Sequence, residues 1–188
     1  MSRKGLTVET IIEAATELIN EKGFDKFSLR ELASKLNVMP ASLYNHTSNV
    51  AEITSSVGRI ALESLGSRLK QASASLDGKA RLLAIADEYR KYAKENEELY
   101  KAILHLPAYE DDSIKEESNN IMQHLYEALN DFELDRKEKI QFSRAYRSAM
   151  HGFASLEMSG YFRHNIDVDE SYHYLINSLL MRLDGEAK

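Results

Sequence analysis

The chain has no cysteine and no tryptophan, and only two of its 188 residues are proline. Without cysteine it cannot form disulfides, thiolate zinc sites or a cysteine nucleophile, and it lacks the usual mark of a small secreted domain. Its two prolines, Pro40 and Pro107, and eight glycines leave long stretches free of helix breakers. We therefore expect a mostly helical protein in a reducing compartment.

Long apolar runs are also missing. No segment approaches the roughly 18 apolar residues that a membrane-spanning helix needs. The polar start MSRKGLTVET has no apolar core of the kind found in signal peptides. These absences predict a cytoplasmic protein without a membrane partner.

The net charge of −6 is unevenly distributed, because the first 50 residues hold as many basic as acidic side chains. The whole excess of negative charge therefore belongs to residues 51–188, where it disfavours binding to a polyanion. A face that binds nucleic acid is expected within the first 50 residues.

Apolar residues recur at helical spacing and predict an all-α fold of about nine helices. The first begins at about Thr7 and stops at Lys22-Gly23. Capping pairs at Ser28 with Glu31 and at Asn49 with Glu52 predict two further helix starts. The other predicted helices cover about 41–46, 77–95, 97–106, 113–132, 135–162 and 169–183.

Residues 1–50 are predicted to form a three-helix DNA-binding head. Ala33 supplies a small residue where two short helices cross, and Asn37 supplies the tight turn between them. Apolar residues that hold the pair together are Leu32, Leu36, Val38 and Leu43. This arrangement is typical of a helix-turn-helix with residues 40–46 as the recognition helix, although such pairs also occur in helical proteins that never bind DNA.

These residues resemble the TetR family of regulators. The pattern FSLRELASKLNV followed by LYNH carries the likeness, together with Ile12, Ala14, Ala15, Gly23, Phe24 and Ile53. The resemblance implies a homodimer that binds a palindromic DNA operator, represses transcription and is released by a small molecule. Helix 4, at about 49–70, would connect the head to a ligand-binding and dimerisation bundle within residues 51–188.

The resemblance also implies the DNA contacts. They are Arg30, Pro40, Ala41, Ser42, Tyr44, Asn45 and His46, whose polar side chains suit base edges and phosphates. The alternative for Tyr44 and His46 is that one of them packs on the first helix. The family usually has a lysine where this chain has Val50, so Ser48 and Asn49 at a helix N-terminus are expected to take over part of that phosphate contact.

Small residues line one face of the predicted helix 135–162 and allow another helix to approach closely. They are Ala145, Ser148, Ala149, Gly152, Ser155 and Ser159. With Leu175, Ile176, Leu179 and Leu183 of the last helix, they predict a four-helix dimer interface. The alternative is that both helices pack only within one subunit.

A run of aromatic and polarisable residues predicts a ligand pocket, because buried hydroxyl groups need partners. The candidates are Tyr89, Tyr92, Tyr100, His105, Met122, Tyr126, Tyr146, Met150 and His151, and ordinary core packing is the alternative for each. The triplet Met150-His151-Gly152 also resembles the Trp-His-Gly element of one TetR C-terminal subfamily.

An enzyme is disfavoured, since there is no glycine-rich phosphate loop and the six histidines show no HExxH spacing. We accordingly expect no metal and no cofactor. A helical interaction protein that kept the head but lost DNA binding is the other alternative, favoured by Val50 and the neutral head. An activator remains open, because the sequence does not decide the sign of regulation.

Overall fold

The computed structural model describes residues 6–106 and 112–184, and within these ranges it contains nine α-helices, three short 3-10 turns and no strand. The predicted all-α class is confirmed. The helices are α1 (Val8–Lys22), α2 (Leu29–Leu36), α3 (Pro40–Leu43), α4 (Val50–Ser73), α5 (Gly78–Glu95), α6 (Glu97–Leu104), α7 (Asp112–Ala128), α8 (Arg136–Met158) and α9 (Val168–Leu180). The 3-10 turns are Phe24–Lys26, Leu129–Asp131 and Met181–Leu183. Pro107 lies outside the described residues. No described helix is both long and apolar enough to cross a membrane.

Helix ends follow local chemistry closely. Thr7 caps α1, and Asn37 takes the predicted left-handed conformation with φ of 53°. The Ser28 side chain accepts from the Glu31 N–H, as expected of an N-cap. A full capping box would also have the Glu31 carboxylate accept from the Ser28 backbone N–H. That part of the prediction is wrong, because the carboxylate instead pairs with Lys22 at 2.5 Å.

The recognition helix and the long helix predicted at 135–162 end earlier than expected. The recognition helix α3 ends at Leu43, whose carbonyl accepts from both the His46 and the Thr47 N–H groups as the chain turns. Helix α8 ends at Met158, because Gly160 adopts a positive φ of 71° that breaks the helical path.

The chain divides into two compact units, one of residues 1–64 and 96–117 and one of residues 65–95 and 118–188. The first unit therefore extends beyond the predicted head at residue 50, taking in the first part of α4 and all of α6. The buried apolar residues of its core are Ile11, Ala14, Ala15, Leu18, Ile19, Leu32, Ala33, Leu43, Ile53, Val57 and Ala102. Ile53, Val57 and Ala102 belong to α4 and α6, so the head shares its core with both helices.

In the second unit, two buried tyrosines bind the backbone of α5. The Tyr146 hydroxyl donates to the Leu82 carbonyl, and the Tyr172 hydroxyl donates to the Ala86 carbonyl at 2.6 Å. Burial raises the pKa of both phenols, so the hydroxyls keep the protons that these bonds require. Neither hydroxyl needs a bound ligand as its partner.

Arg90 joins α5 to α8 and α9 within the second unit. Its guanidinium donates two bonds to the Glu157 carboxylate, at 2.6 and 2.7 Å, and one to Asp169 at 2.7 Å. It also lies over the rings of Phe153 and Tyr172. Bonding to Arg90 lowers the pKa of Glu157, and only 7% of the Arg90 surface is exposed. We name this the Arg90 cluster.

A second polar contact joins α4 to α7. His124 Nε2 lies 2.7 Å from the Ser73 Oγ, which itself donates to the Leu69 carbonyl. The Nε2 atom must therefore carry the proton, and the Nδ1 atom lies 3.4 Å from an Arg81 nitrogen. Burial, with the positive charge of Arg81, lowers the pKa of His124 below its usual value of 6.5.

This geometry predicts that His124 destabilises the fold at mildly acid pH. As the pH falls through 6.5, the unfolded chain takes up a proton that the folded His124 resists, so the free energy of unfolding decreases. Between about pH 7.5 and 5.5, we expect the melting temperature of a His124→Gln variant to fall by less than that of the parent. His164→Gln, at an exposed loop position, is the control. Equal losses in parent and His124→Gln would contradict the prediction.

Candidate nucleic-acid interface

The helix-turn-helix rests on three buried side chains of α2 and α3. Leu32, Ala33 and Leu43 are each 1% exposed or less and lie in the core of the first unit. Pro40 occupies the first turn of α3, where its missing N–H leaves no helical bond unmade. Burial of Leu43 in this core thus holds α3 against the rest of the head.

Outside that anchor, the recognition segment, defined as residues 37–46, is open to solvent. Leu43 is its single fully buried residue, while Pro40, Ala41, Tyr44 and Asn45 are exposed and Ser42 is half-buried. Arg30 on α2 is exposed too and makes no ion pair among the described residues. All of these predicted contacts are thus free to meet a partner, and their role toward DNA stays a prediction.

Tyr44 and His46 differ in their surroundings. Tyr44 is 58% exposed, whereas His46 is half-buried and lines a small cavity with Val8 and Ile12 of α1 and with Ile53 of α4. This arrangement favours the alternative in which one of the two packs on the first helix. Tyr44 is therefore the stronger candidate for a DNA contact.

The start of α4 differs from the expected phosphate site. The Ser48 N–H donates to the Glu52 carboxylate at 2.6 Å, and the Thr47 hydroxyl lies 3.1 Å from the same oxygen. These bonds lower the pKa of Glu52 and keep it negatively charged. The Ser48 amide is consequently already occupied by an internal anion, which corrects the predicted backbone contact with phosphate. Asn49 caps α4 by accepting from the Glu52 N–H at 2.9 Å.

Sequence reasoning missed Met39. This side chain is 72% exposed directly before Pro40, beside the predicted DNA contacts. The signal was available, because Met39 stands where the resembling family often has a serine or threonine cap.

Helix α6 lies against the head inside the first unit. The Glu98 carboxylate accepts from the Phe24 N–H at 2.5 Å, and the rings of Phe24 and His105 lie 4.8 Å apart. Bonding to Lys101, helped by the Phe24 amide, lowers the pKa of Glu98. His105, predicted to line a ligand pocket, thus contacts the DNA-binding head.

The predicted pocket residues do not form one cluster within one unit. Tyr100 and His105 belong to the first unit and the other seven to the second. Tyr92, Tyr100, Tyr146 and Met150 are buried core residues, which favours the packing alternative for them. Tyr89, Met122, Tyr126 and His151 are half-buried. The likeness of Met150-His151-Gly152 to Trp-His-Gly stays a prediction.

Tyr126 lines an open cavity of about 430 Å³ in the second unit. The other lining residues are Leu134, Arg136, Lys139 and Ile140, none of which sequence reasoning selected. They lie on the loop before α8 and on its first turns, where no periodic pattern marks a cavity.

The small-residue face of α8 is open in the subunit. Ala145, Ser148 and Ser159 are exposed, and Ala149, Gly152 and Ser155 are half-buried. A Cβ added at Gly152 would have open space around it. A second helix therefore has room to approach this face.

Two of the four apolar residues predicted for the interface at the end of the chain are buried within the subunit. Ile176 is fully buried and Leu183 is 9% exposed, so both belong to the subunit core and are removed from the predicted interface. Leu175 and Leu179 are half-buried and remain available. Large apolar residues that sequence reasoning missed are Leu156 on α8, Tyr174 on α9 and Met181 just after it, which are 45%, 78% and 63% exposed.

Comparison with known proteins shows which family the chain resembles. The family model described as "Bacterial regulatory proteins, tetR family" matches residues 11–52, and "Tetracyclin repressor-like, C-terminal domain" matches residues 82–179. An uncharacterized HTH-type transcriptional regulator of Bacillus subtilis (strain 168), YobS, is 31% identical over 183 residues, which span 96% of this chain and 94% of YobS.

Solved structures share the fold. A protein with unknown function from Rhodococcus sp. RHA1 has a TM-score of 0.80 at 20% identity, over 97% of this chain and 98% of that one. A single-residue variant of TetR from Acinetobacter baumannii AYE, in complex with minocycline, has a TM-score of 0.69 at 21% identity, over 96% of this chain and 97% of that one.

The all-helical fold with its exposed helix-turn-helix defines a DNA-binding transcriptional regulator. The chain belongs to the TetR family, since both family models match it and the relationship to YobS spans nearly its whole length. Members of this family are typically ligand-responsive repressors.

Proposed function

We propose that this regulator is a homodimeric repressor that binds a palindromic operator and is released by a small molecule bound in its C-terminal part. It acts in the cytoplasm, without catalysis, metal or cofactor. The observation that carries the proposal is the open recognition segment, which presents Tyr44 and Asn45 on a helix-turn-helix anchored by Leu43.

Dimerisation is supported by the open faces of α8 and α9. One face of α8 presents small residues, and α9 adds the half-buried Leu175 and Leu179 and the exposed Tyr174, which suits a four-helix contact between two copies. Two copies related by a two-fold axis would place recognition segments about 34 to 36 Å apart, the spacing of successive major grooves. The palindrome follows from this symmetry.

The proposal assigns different roles to the two parts of the chain. Residues 1–50 bind DNA, and residues 51–188 bind the ligand and form the dimer. Helix α6 belongs to the second group by position but shares the core of the head through Ala102. A ligand that shifts α6 would therefore disturb the packing of the DNA-binding head.

Operator selection tests the proposal. Full-length protein is incubated with random duplex DNA, bound sequences are amplified, and their affinity is measured by gel shift. We expect an enriched palindrome. Failure to enrich any sequence would overturn the proposal and favour a helical interaction protein. A reporter gene placed behind the operator separates a repressor, which lowers expression, from an activator.

Ligand release is tested separately with compounds that co-purify with the protein. Binding of such a compound must change operator affinity by the same factor by which the operator changes compound affinity. A compound that occupies the protein without any effect on operator affinity would argue against release by that compound. If no bound compound changed operator affinity, the proposed release by a small molecule would be wrong.

Gly58 on α4 gives a test of the contact with α6. A Cβ at this position would lie 2.7 Å from the Leu106 side chain and 2.8 Å from the Ala102 carbonyl oxygen. Gly58→Ala should therefore push the helices apart and lower the free energy of unfolding by about 1 to 3 kcal/mol. Chemical unfolding followed by circular dichroism measures the change.

Gly66→Ala is the matched control on the same helix. The added methyl would meet only the Ile121 side chain, at 3.1 Å, and a side-chain atom can move more easily than a carbonyl of the backbone. We expect this variant to stay near the parent stability. Equal stability of the two variants would show that the α4 to α6 contact is looser than described.

A further inference from the structure

The recognition segment has an unusual chemical character, because residues 37–46 contain no lysine, arginine, aspartate or glutamate. Three of its exposed residues, Met39, Pro40 and Ala41, are apolar. Its exposed hydrogen-bonding side chains include those of Tyr44 and Asn45, and neither has a side-chain partner among the described residues. The segment can thus offer methyl and methylene groups and a free amide to a groove.

Each base edge in the major groove favours particular side chains. Guanine is most often read by a bidentate arginine or lysine, and the C5-methyl group of thymine is read by apolar contact. Adenine is read by a bidentate asparagine or glutamine. The recognition segment lacks the arginine and lysine that most often read guanine, and it exposes an asparagine and apolar groups that suit adenine and thymine.

The nearby cation Arg30 does not change which bases the recognition segment is suited to read. Arg30 is exposed and unpaired among the described residues, but it lies on α2. In helix-turn-helix proteins the first helix of the motif crosses the DNA backbone, so Arg30 is expected at a phosphate, or at a base edge outside the pairs that the recognition segment reads. Phosphate contacts orient the protein and carry no sequence information directly.

We propose that the recognition segment reads A·T base pairs, with the Asn45 amide on an adenine and the Met39 side chain on the C5-methyl group of a thymine. This inference rests on the proposed DNA contacts. Met39 is suited to the role because its unbranched thioether adapts to an irregular apolar surface. Its position directly before the rigid Pro40 fixes where the side chain leaves the backbone.

The experiment starts from the operator selected by the full-length protein. Each thymine of a half-site is replaced in turn by deoxyuridine, which removes only the C5-methyl group. We expect at least one position at which the parent binds about fourfold more weakly, as for the loss of one buried methyl group. Met39→Ala should lose most of this sensitivity while binding the thymine and deoxyuridine duplexes alike.

Two variants test Asn45. Asn45→Ala should weaken binding on the order of tenfold, with the loss confined to one A·T pair of each half-site. Asn45→Arg should shift the preferred base at that pair from adenine to guanine. Asn20→Ala, at an exposed position of α1, is the control and should leave affinity and base preference unchanged.

Selected half-sites with G·C at the contacted pairs, or with no thymine sensitive to deoxyuridine, would overturn the inference and leave the proposed repressor standing. Unchanged base preference in Asn45→Arg would overturn the adenine contact. Absence of any enriched sequence would overturn both the inference and the proposed function.

Discussion

Replacing Gly152 by arginine is expected to produce a folded monomer that no longer holds its operator. The α8 position has free space around an added Cβ, so the subunit itself should tolerate the change. Helix propensity should even stabilise the subunit by up to about 1 kcal/mol. The long side chain would instead keep a second α8 from approaching across the small-residue face.

Loss of the dimer should weaken operator binding roughly 100-fold or more, because the second half-site contact is no longer intramolecular. Sedimentation equilibrium measures the mass, circular dichroism the fold, and fluorescence anisotropy the affinity. Gln71→Arg, which adds the same side chain at an exposed position of α4, should remain dimeric. A dimeric Gly152→Arg variant would place the interface elsewhere on the molecule.

The second large effect is expected at Arg90. Arg90→Met keeps much of the length of the side chain but leaves the Glu157 carboxylate, which is 13% exposed, without its bidentate partner. Removing one member of a buried pair typically costs about 3 to 5 kcal/mol. Lys94 still contacts Glu157 at 2.8 Å, so the lower end of that range is expected. Such a loss corresponds to a melting temperature lower by about 6 to 12 °C.

A double variant separates charge burial from packing. In Arg90→Met with Glu157→Met no carboxylate is left unpaired at the Glu157 position, and much of the lost stability should return. Lys91→Met removes an exposed cation from the same helix and should change stability by less than about 0.5 kcal/mol. If the double variant were no more stable than the single one, packing of the guanidinium on Phe153 and Tyr172 would be its main contribution.

Features fixed by neighbouring residues were predictable. The cap at Thr7, the left-handed turn at Asn37 and Pro40 in the first turn of α3 each depend on chemistry within three or four residues. The all-α class followed from periodicity for the same reason. The family likeness then added what the head does.

Features that depend on distant residues were not predictable. Ile176 and Leu175 fit the same apolar pattern, yet one is buried in the core and the other is half-buried. The Arg90 cluster joins side chains that lie 67 and 79 positions apart in the chain, and no spacing rule connects them. The bond between the Ser48 amide and Glu52 was missed for another reason. The sequence does not determine whether the Glu52 carboxylate turns back to this amide or points to solvent.

The shared core of α1, α4 and α6 limits how far this regulator is modular. A head cut at residue 50 leaves Ile53, Val57 and Ala102 behind and exposes the apolar surface of Ile11 and Leu18 that packs in the same core. Chimeric regulators that exchange operator specificity should therefore keep the recipient's own helices and transplant only the surface residues of the recognition segment. Evolution of new operators within such a chain is likewise expected to proceed by substitution at Met39, Tyr44 and Asn45, leaving the hydrophobic framework intact.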